Sequence, residues 1–231
     1  ITYGLTPQAQ VRAVDIDIDH FTSSFTVINE GEELGEVKLN APGEHNVKNA
    51  LAAVAVGLEL DIDFEQIKSG LERFEGVFRR FQLKAEKDNV MVIDDYAHHP
   101  TEVQATLDAA RKGWKDRRIV AVFQPHLYSR TQELYKEFGT SFFDAEVCVI
   151  TDVYPSREEP IEGVTGKLIS DVAKEYGHRK VHYVEDKAEL PGRLKEIVEP
   201  GDVVITMGAG DIYKYGEQFL DALDAGISKL K

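Results

Sequence analysis

The sequence is poor in several things, and each shortage excludes a class of protein. It has one cysteine, Cys148, so no intrachain disulfide can form. That cysteine lies in the apolar run Val147-Cys148-Val149-Ile150 and reads as a core thiol, not a nucleophile. No stretch approaches the roughly 20 apolar residues of a membrane-spanning helix. No Lys/Arg block offsets the formal net charge of −14, which argues against a nucleic-acid or anionic-membrane surface. There is no Gly-x-x-x-x-Gly-Lys-Ser/Thr phosphate cradle. Gly208-Ala209-Gly210 lacks the further glycine of a dinucleotide fingerprint and follows the last predicted strand instead of the first, so nicotinamide binding is rejected. The start, Ile1-Thr2-Tyr3-Gly4, has neither an initiator methionine nor a signal-peptide pattern and reads as a cut.

What is present is an ordinary globular composition, 42% hydrophobic and 29% charged over 231 residues, enough for one large domain or two small ones. Residues 9–39 alternate as strands do, with Val14, Ile16 and Ile18 on one parity, and Asn29-Glu30-Gly31-Glu32-Glu33 marks a hairpin turn. After the Pro42-Gly43 turn, Val47, Leu51, Val54 and Leu58 recur at helical spacing. A second helix opens at Asp63 with Gln66 completing a capping box, and Phe64, Ile67, Leu71 and Phe74 form its stripe. Glu75-Gly76-Val77-Phe78-Arg79-Arg80-Phe81 then separates unlike patterns as a hinge or domain boundary would. From residue 82 onward strands alternate with helices. Strands are predicted at Val90–Ile93, Ile119–Phe123, Val147–Ile150, Val181–Val184 and Val203–Thr206, with helices near 101–112, 129–143, 164–176, 188–198 and 211–225. This is the α/β pattern of a doubly wound, mainly parallel sheet.

In such sheets ligands bind at the carboxyl edge of the strands. There the sequence places Asp94-Asp95-Tyr96-Ala97-His98-His99-Pro100, then Gln124-Pro125-His126, Thr151-Asp152 and Gly208-Ala209-Gly210-Asp211. Two acids, a phenol and two imidazoles in one turn are more than a turn needs. Asn46 and Asn49, three apart on a helix, either cap it or read the edge of a purine, since a carboxamide offers both donor and acceptor. An arginine at the hinge either sits in a solvated basic turn or faces phosphate, for which its planar fork suits it.

Five motifs, in order, carry a resemblance. Gly43-Glu44-His45-Asn46-Val47-Lys48-Asn49, Phe78-Arg79-Arg80-Phe81, Asp94 through Glu102, Phe123-Gln124-Pro125-His126-Leu127-Tyr128-Ser129-Arg130-Thr131 and Gly208-Ala209-Gly210-Asp211 resemble the Mur ligases over essentially the whole chain. Asp-Asp-Tyr-Ala-His-His-Pro-Thr-Glu is most similar to the member that adds L-alanine. The resemblance implies that 1–80 is the end of a central ATP-binding domain, with antiparallel strands and two helices, and that 81–231 is a C-terminal Rossmann-like domain. The P-loop and the magnesium-binding residues would precede Ile1, so this chain alone is expected to be inactive, and no metal ligand is assigned within it. The implied reaction is ATP-driven, ADP-forming ligation of L-alanine to UDP-N-acetylmuramate through an acyl phosphate, in the cytoplasm, for peptidoglycan precursor synthesis. No nucleic-acid or membrane partner is implied.

By the same resemblance His45, Asn46 and Asn49 would contact ATP, and Arg80 would reach its phosphates. Asp95 would bond the ribose or orient Arg80. Tyr96, His98, His126 and Arg130 would face the muramoyl or alanine end, with Arg80, Asp95 and His98 closest to the chemistry. Leu127 stands where some members carry a basic residue, which weakens that carboxylate contact. The runner-up is a murein-peptide recycling ligase. Outside the family, Asp94, Asp95, His98 and His99 could ligate a metal pair in a DHH-type phosphoesterase, or the chain could be a non-catalytic ligand-binding module.

Overall fold

Alternation does produce strands over 11–39, but with a change of phase in the middle. In the computed structural model, which describes residues 1–227, Val11 and Ala13 are buried before Asp15, and Ile18 is buried after it. Asp15 takes φ +52 and the pairing shifts between Val14 and Asp17, so a β-bulge inserts one residue. A one-residue shift exchanges the two faces. The single apolar parity expected from the sequence is thus two half-faces joined at the bulge.

The chain divides into two compact units, one of residues 1–77 with 108–115, the other of 78–107 with the residues after 115. The division at 77/78 falls inside the expected hinge. In the first unit β1 (Tyr3–Gly4), β2 (Val11–Asp19), β3 (Thr22–Asn29) and β4 (Glu32–Leu39) form one sheet in that order, with β1 parallel to β2 and the rest antiparallel. Its apolar face, including Phe25, Val27 and Val37, packs on Val47, Leu51 and Val54 of α1 (Glu44–Glu59). Helix α2 (Phe64–Glu72) starts where Asp63 accepts a hydrogen bond from the Glu65 N–H. Ile67 fits against Gly57, where a Cβ would stand 2.6 Å from its Cδ1. Phe74, expected in the buried stripe, lies beyond the helix and is exposed.

The second unit is a six-stranded sheet. Its strands are β5 (Gln82–Lys87), β6 (Val90–Asp95), β7 (Ile119–Phe123), β8 (Val147–Thr151), β9 (Val181–Val184) and β10 (Val203–Met207). Their order is β5-β6-β10-β7-β8-β9, all parallel except β5 against β6. Helices α3 (Pro100–Gly113), α4 (Tyr128–Gly139), α5 (Gly166–Glu175), α6 (Leu190–Ile197) and α7 (Ile212–Ile227) follow the strands. Strands β6, β7, β8 and β10 are buried along their whole length, which is why they read as continuous apolar runs. Each buried Val or Ile contributes roughly 1.5–3 kcal/mol.

The amino ends of the strands are tied by two arginines. Arg117 donates to the Gly201, Asn89 and Asp202 carbonyls, and Arg118 pairs with Asp202 and Glu199. At the other end β10 enters between β6 and β7, with Met207 level with both Asp95 and Phe123. That register brings the polar ends of β6, β10, β7 and β8 side by side.

Candidate functional site

The last two residues of β6 are acids in a buried strand, and a buried charge is costly unless paired and hydrogen-bonded. Asp94 solves this with Arg79. Its Oδ2 accepts from Arg79 Nε at 2.8 Å and its Oδ1 from Thr206 Oγ1 at 2.7 Å. Asp95 solves it with backbone: Oδ2 takes the Phe81 N–H at 2.8 Å and Oδ1 the Ala97 N–H at 2.7 Å. Burial nevertheless pushes the Asp95 carboxyl above the usual carboxylate range, against the two N–H bonds and the Arg80 charge. Asp95, expected to bond a ribose or to orient Arg80, directs its hydrogen bonds to two backbone amides, and the Arg80 charge acts on it through space. Arg80 is exposed and its guanidinium lies 3.9 Å from Glu102. With Asp94 committed to Arg79, the four-residue metal set of the phosphoesterase alternative is broken. No group of three or more His, Cys, Asp or Glu among the described residues is placed to hold a metal.

The turn after β6 is held by Glu102, which closes the third sequence motif but has no role assigned there. From the first turn of α3 its Oε2 accepts the N–H of His98 at 2.9 Å and of His99 at 3.2 Å, as the glutamate of a capping box does. His98 Nδ1 lies 2.8 Å from the Tyr96 carbonyl, which can only accept, so Nδ1 carries the proton and Nε2 is left as the basic nitrogen. The Tyr96 ring stands 5.2 Å from His98 and lies under both guanidinium groups, 5.1 Å from Arg79 and 5.6 Å from Arg80.

At the end of β7, His126 completes a line of rings. It stands 6.1 Å from His98 and stacks on Tyr154 at 5.8 Å. The chain reaches α4 through Leu127 at φ +75, a strained conformation for leucine, and its N–H bonds the Tyr154 carbonyl. Arg130, in the first turn of α4, reaches the His98 carbonyl at 3.5 Å. Burial lowers the His126 pKa, and the charges of Arg130 and His98 lower it further, against Glu158. Glu158 accepts the Ser129 N–H and caps the helix. Tyr96, His98, His126 and Arg130, expected as one substrate-facing group, are therefore brought together. Their arrangement offers a neutral imidazole beside a guanidinium, suited to receive a carboxylate.

Between these ends lies the loop after β10. Arg79 NH1 and NH2 donate to the Gly210 and Gly208 carbonyls at 3.0 and 2.8 Å. Asp211 pairs through both oxygens with Lys187, and the buried Gln124 donates to it at 3.2 Å. Lys187, three residues past the carboxyl end of β9, is not singled out in the sequence because the end of that strand is not among the polar edges read there. The remaining expected residues are in the first unit, on α1. Asn46 donates to the Pro42 carbonyl at 2.8 Å, Gly43 is the N-cap, His45 packs beside Gly43, and Asn49 is exposed.

Comparison with known proteins gives these features a context. The family described as "Mur ligase, glutamate ligase domain" matches residues 79–210, and "Mur ligase middle domain" matches 1–57. The chain is 56% identical over 224 residues to a UDP-N-acetylmuramate–L-alanine ligase of Salinibacter ruber, covering 97% of this chain and 47% of the relative. It is 52% identical over 222 residues to the ligase of that name from Geotalea daltonii, covering 96% and 48%. The chain thus spans about half the length of the curated relatives it matches. Among solved structures, UDP-N-acetylmuramate-alanine ligase MurC of Thermotoga maritima superposes with a TM-score of 0.82 at 31% identity, over 98% of this chain and 48% of that one. A murein peptide ligase of Psychrobacter arcticus gives 0.65 at 24%, over 96% and 46%, a likeness of fold alone.

Proposed function

Because the chain belongs to the Mur ligase family, we propose that the whole protein joins L-alanine to UDP-N-acetylmuramate at the expense of ATP, in the cytoplasm, as a step of peptidoglycan precursor synthesis. The observation that carries this reading is the convergence of His98, His126 and Arg130 at one strand edge, in a chain whose relatives at 50% identity and above bear the L-alanine ligase name. The murein-peptide alternative is supported by a likeness of fold.

In this reading the muramoyl carboxylate is phosphorylated to an acyl phosphate, and the alanine amine displaces phosphate. Arg130 holds a substrate carboxylate. The Nε2 of His98, free of the internal bond that occupies Nδ1, faces the same end. Arg80, exposed and paired among the described residues through a long contact to Glu102, is available to phosphate. Asn49 is available to adenine. Asp95, each oxygen of which accepts one amide, shapes the Phe81 and Ala97 turns and keeps acceptor capacity for a ribose hydroxyl. The chain contains no P-loop sequence and no metal-ligand group among its described residues. The reading therefore places phosphate cradling and magnesium on residues outside this chain, and magnesium, when bound, neutralises phosphate charge.

The test is ADP release by the whole protein with UDP-N-acetylmuramate and L-alanine, beside the 231-residue chain, from which none is expected. Arg130→Ala should raise the KM of one of the two co-substrates by about 1.5–3 kcal/mol, with little change for ATP. No alanine-dependent ADP release by the whole protein would reject the ligase reading. Equal KM values in both proteins would remove Arg130 from the carboxylate contact.

A further inference from the structure

We infer that Arg79, the arginine of the pair that faces inward, is a positioning residue: it holds the Gly208–Asp211 loop in the shape presented at the carboxyl edge of the sheet. The role assigned to that edge rests on the ligase reading above. The guanidinium is spent in three directions at once, Nε to Asp94, NH1 to the Gly210 carbonyl and NH2 to the Gly208 carbonyl. It lies 5.1 Å from the centre of the Tyr96 ring and 4.4 Å from that of Tyr213. Arg79 also stands at φ +58, a conformation unfavourable for a residue with a Cβ. A residue needed only to neutralise Asp94 would require one of these bonds. Two of the three go instead to carbonyls of a loop that has few side chains of its own.

The loop is pinned from its other side as well. A Cβ on Gly208 would lie 2.7 Å from the Gln124 carbonyl oxygen, and one on Gly210 would lie 2.4 Å from Gln124 Oε1 and 2.7 Å from the Tyr154 ring. Glycine permits this close approach but stiffens nothing, so the rigidity comes from Arg79 and Gln124. Peptide planarity supplies the consequence. With the Gly208 and Gly210 carbonyls turned to the guanidinium, the N–H groups of Ala209 and Asp211 point to the opposite side. Arg79 thereby sets which donors the loop offers, and its stacking fixes Tyr96, the first ring in the line through His98 to His126. Arg80 shares the Tyr96 ring at 5.6 Å but, among the described residues, makes none of the hydrogen bonds to Asp94, Gly208 or Gly210, and cannot substitute. A lysine cannot either, because a point charge does not span two carbonyls and a carboxylate.

Two variants and two readouts test this. Arg79→Gly removes the side chain and relieves the backbone strain. Arg79→Lys keeps the charge and guards against a variant that merely fails to fold. In the whole protein both should lower kcat about 100-fold, the loss typical of a small misplacement, with less effect on the KM for ATP. Added guanidinium below its denaturing range should restore Arg79→Gly about tenfold, while urea, of the same shape and uncharged, should not. In the 231-residue chain the Gly208 and Gly210 amide resonances should move in Arg79→Gly and return with guanidinium. Unmoved glycine resonances, or a loss of turnover that guanidinium leaves unrepaired, would overturn the inference. If the wild-type whole protein releases no ADP, the ligase reading fails and the glycine resonances alone decide on Arg79.

Discussion

At the scale of single residues, neighbouring acids of the same strand have different work. In the sequence Asp95 is the stronger candidate and Asp94 an optional one. The structure makes Asp94 the counterion of a buried arginine and Asp95 the acceptor of two amides. Asp94→Asn leaves Arg79 buried without its charge partner, and breaking such a pair costs about 3–5 kcal/mol. Asp95→Asn turns an NH2 towards an N–H donor and costs about 1–3 kcal/mol. Urea denaturation of the two variants should rank them in that order, and the reverse order would remove the Arg79–Asp94 pair from the centre of the unit. His126 gives a pH prediction. Its pKa lies below the ordinary histidine value through burial and the Arg130 and His98 charges. In the window between the folded and the unfolded pKa the unfolded chain binds more protons, so stability rises with pH there. What neutral His126 contributes is complete above about 6.5 and is lost as pH falls through the folded pKa. Followed by NMR, the His126 titration should move up in Arg130→Ala and down in Glu158→Gln. No movement in either would show that burial alone sets it.

At the scale of elements, helix starts matter more than helix centres. Helix α1 begins at Gly43, whose φ of +106 excludes side chains on conformational grounds. A Cβ there would lie 2.7 Å from the His45 ring. Its N–H bonds the Oγ of the buried Ser23 in β3. Gly43→Ala should destabilise the chain by about 1–3 kcal/mol and displace His45, and a melting temperature equal to that of the parent would refute this. The same scale shows where pattern reading stops. The apolar strands β6 to β10 are legible because burial on both faces requires unbroken runs. Strand β5 is a half-exposed edge, Gln82-Leu83-Lys84-Ala85-Glu86-Lys87, with an irregularity between Leu83 and Ala85, and β1 has only two residues. Neither carries a signal. Helix α4 ends at Gly139, before the expected 143, where the Thr140 and Ser141 hydroxyls both take the Glu137 carbonyl.

At the scale of the whole molecule, local pattern by itself determined the α/β class and the polar strand ends, since each depends on residue type and spacing along the chain, and five motifs carried the resemblance to the family. The strand ends put His98 and His126 in view, while Arg130 and the roles of all three came from the family resemblance. Pairing was decided only by the tertiary structure. The insertion of β10 between β6 and β7 sets Gly208 and Gly210 beside Arg79, some 130 residues away in the chain. It also sets Thr206 against Asp94, 112 residues away. Which of two adjacent arginines turns inward, and which of two adjacent acids receives it, depends on the pleat of β6 and on a positive φ at Arg79. A buried charge takes whatever partner the sheet order brings within reach, and sheet order is a property of long-range packing that spacing along a chain does not encode.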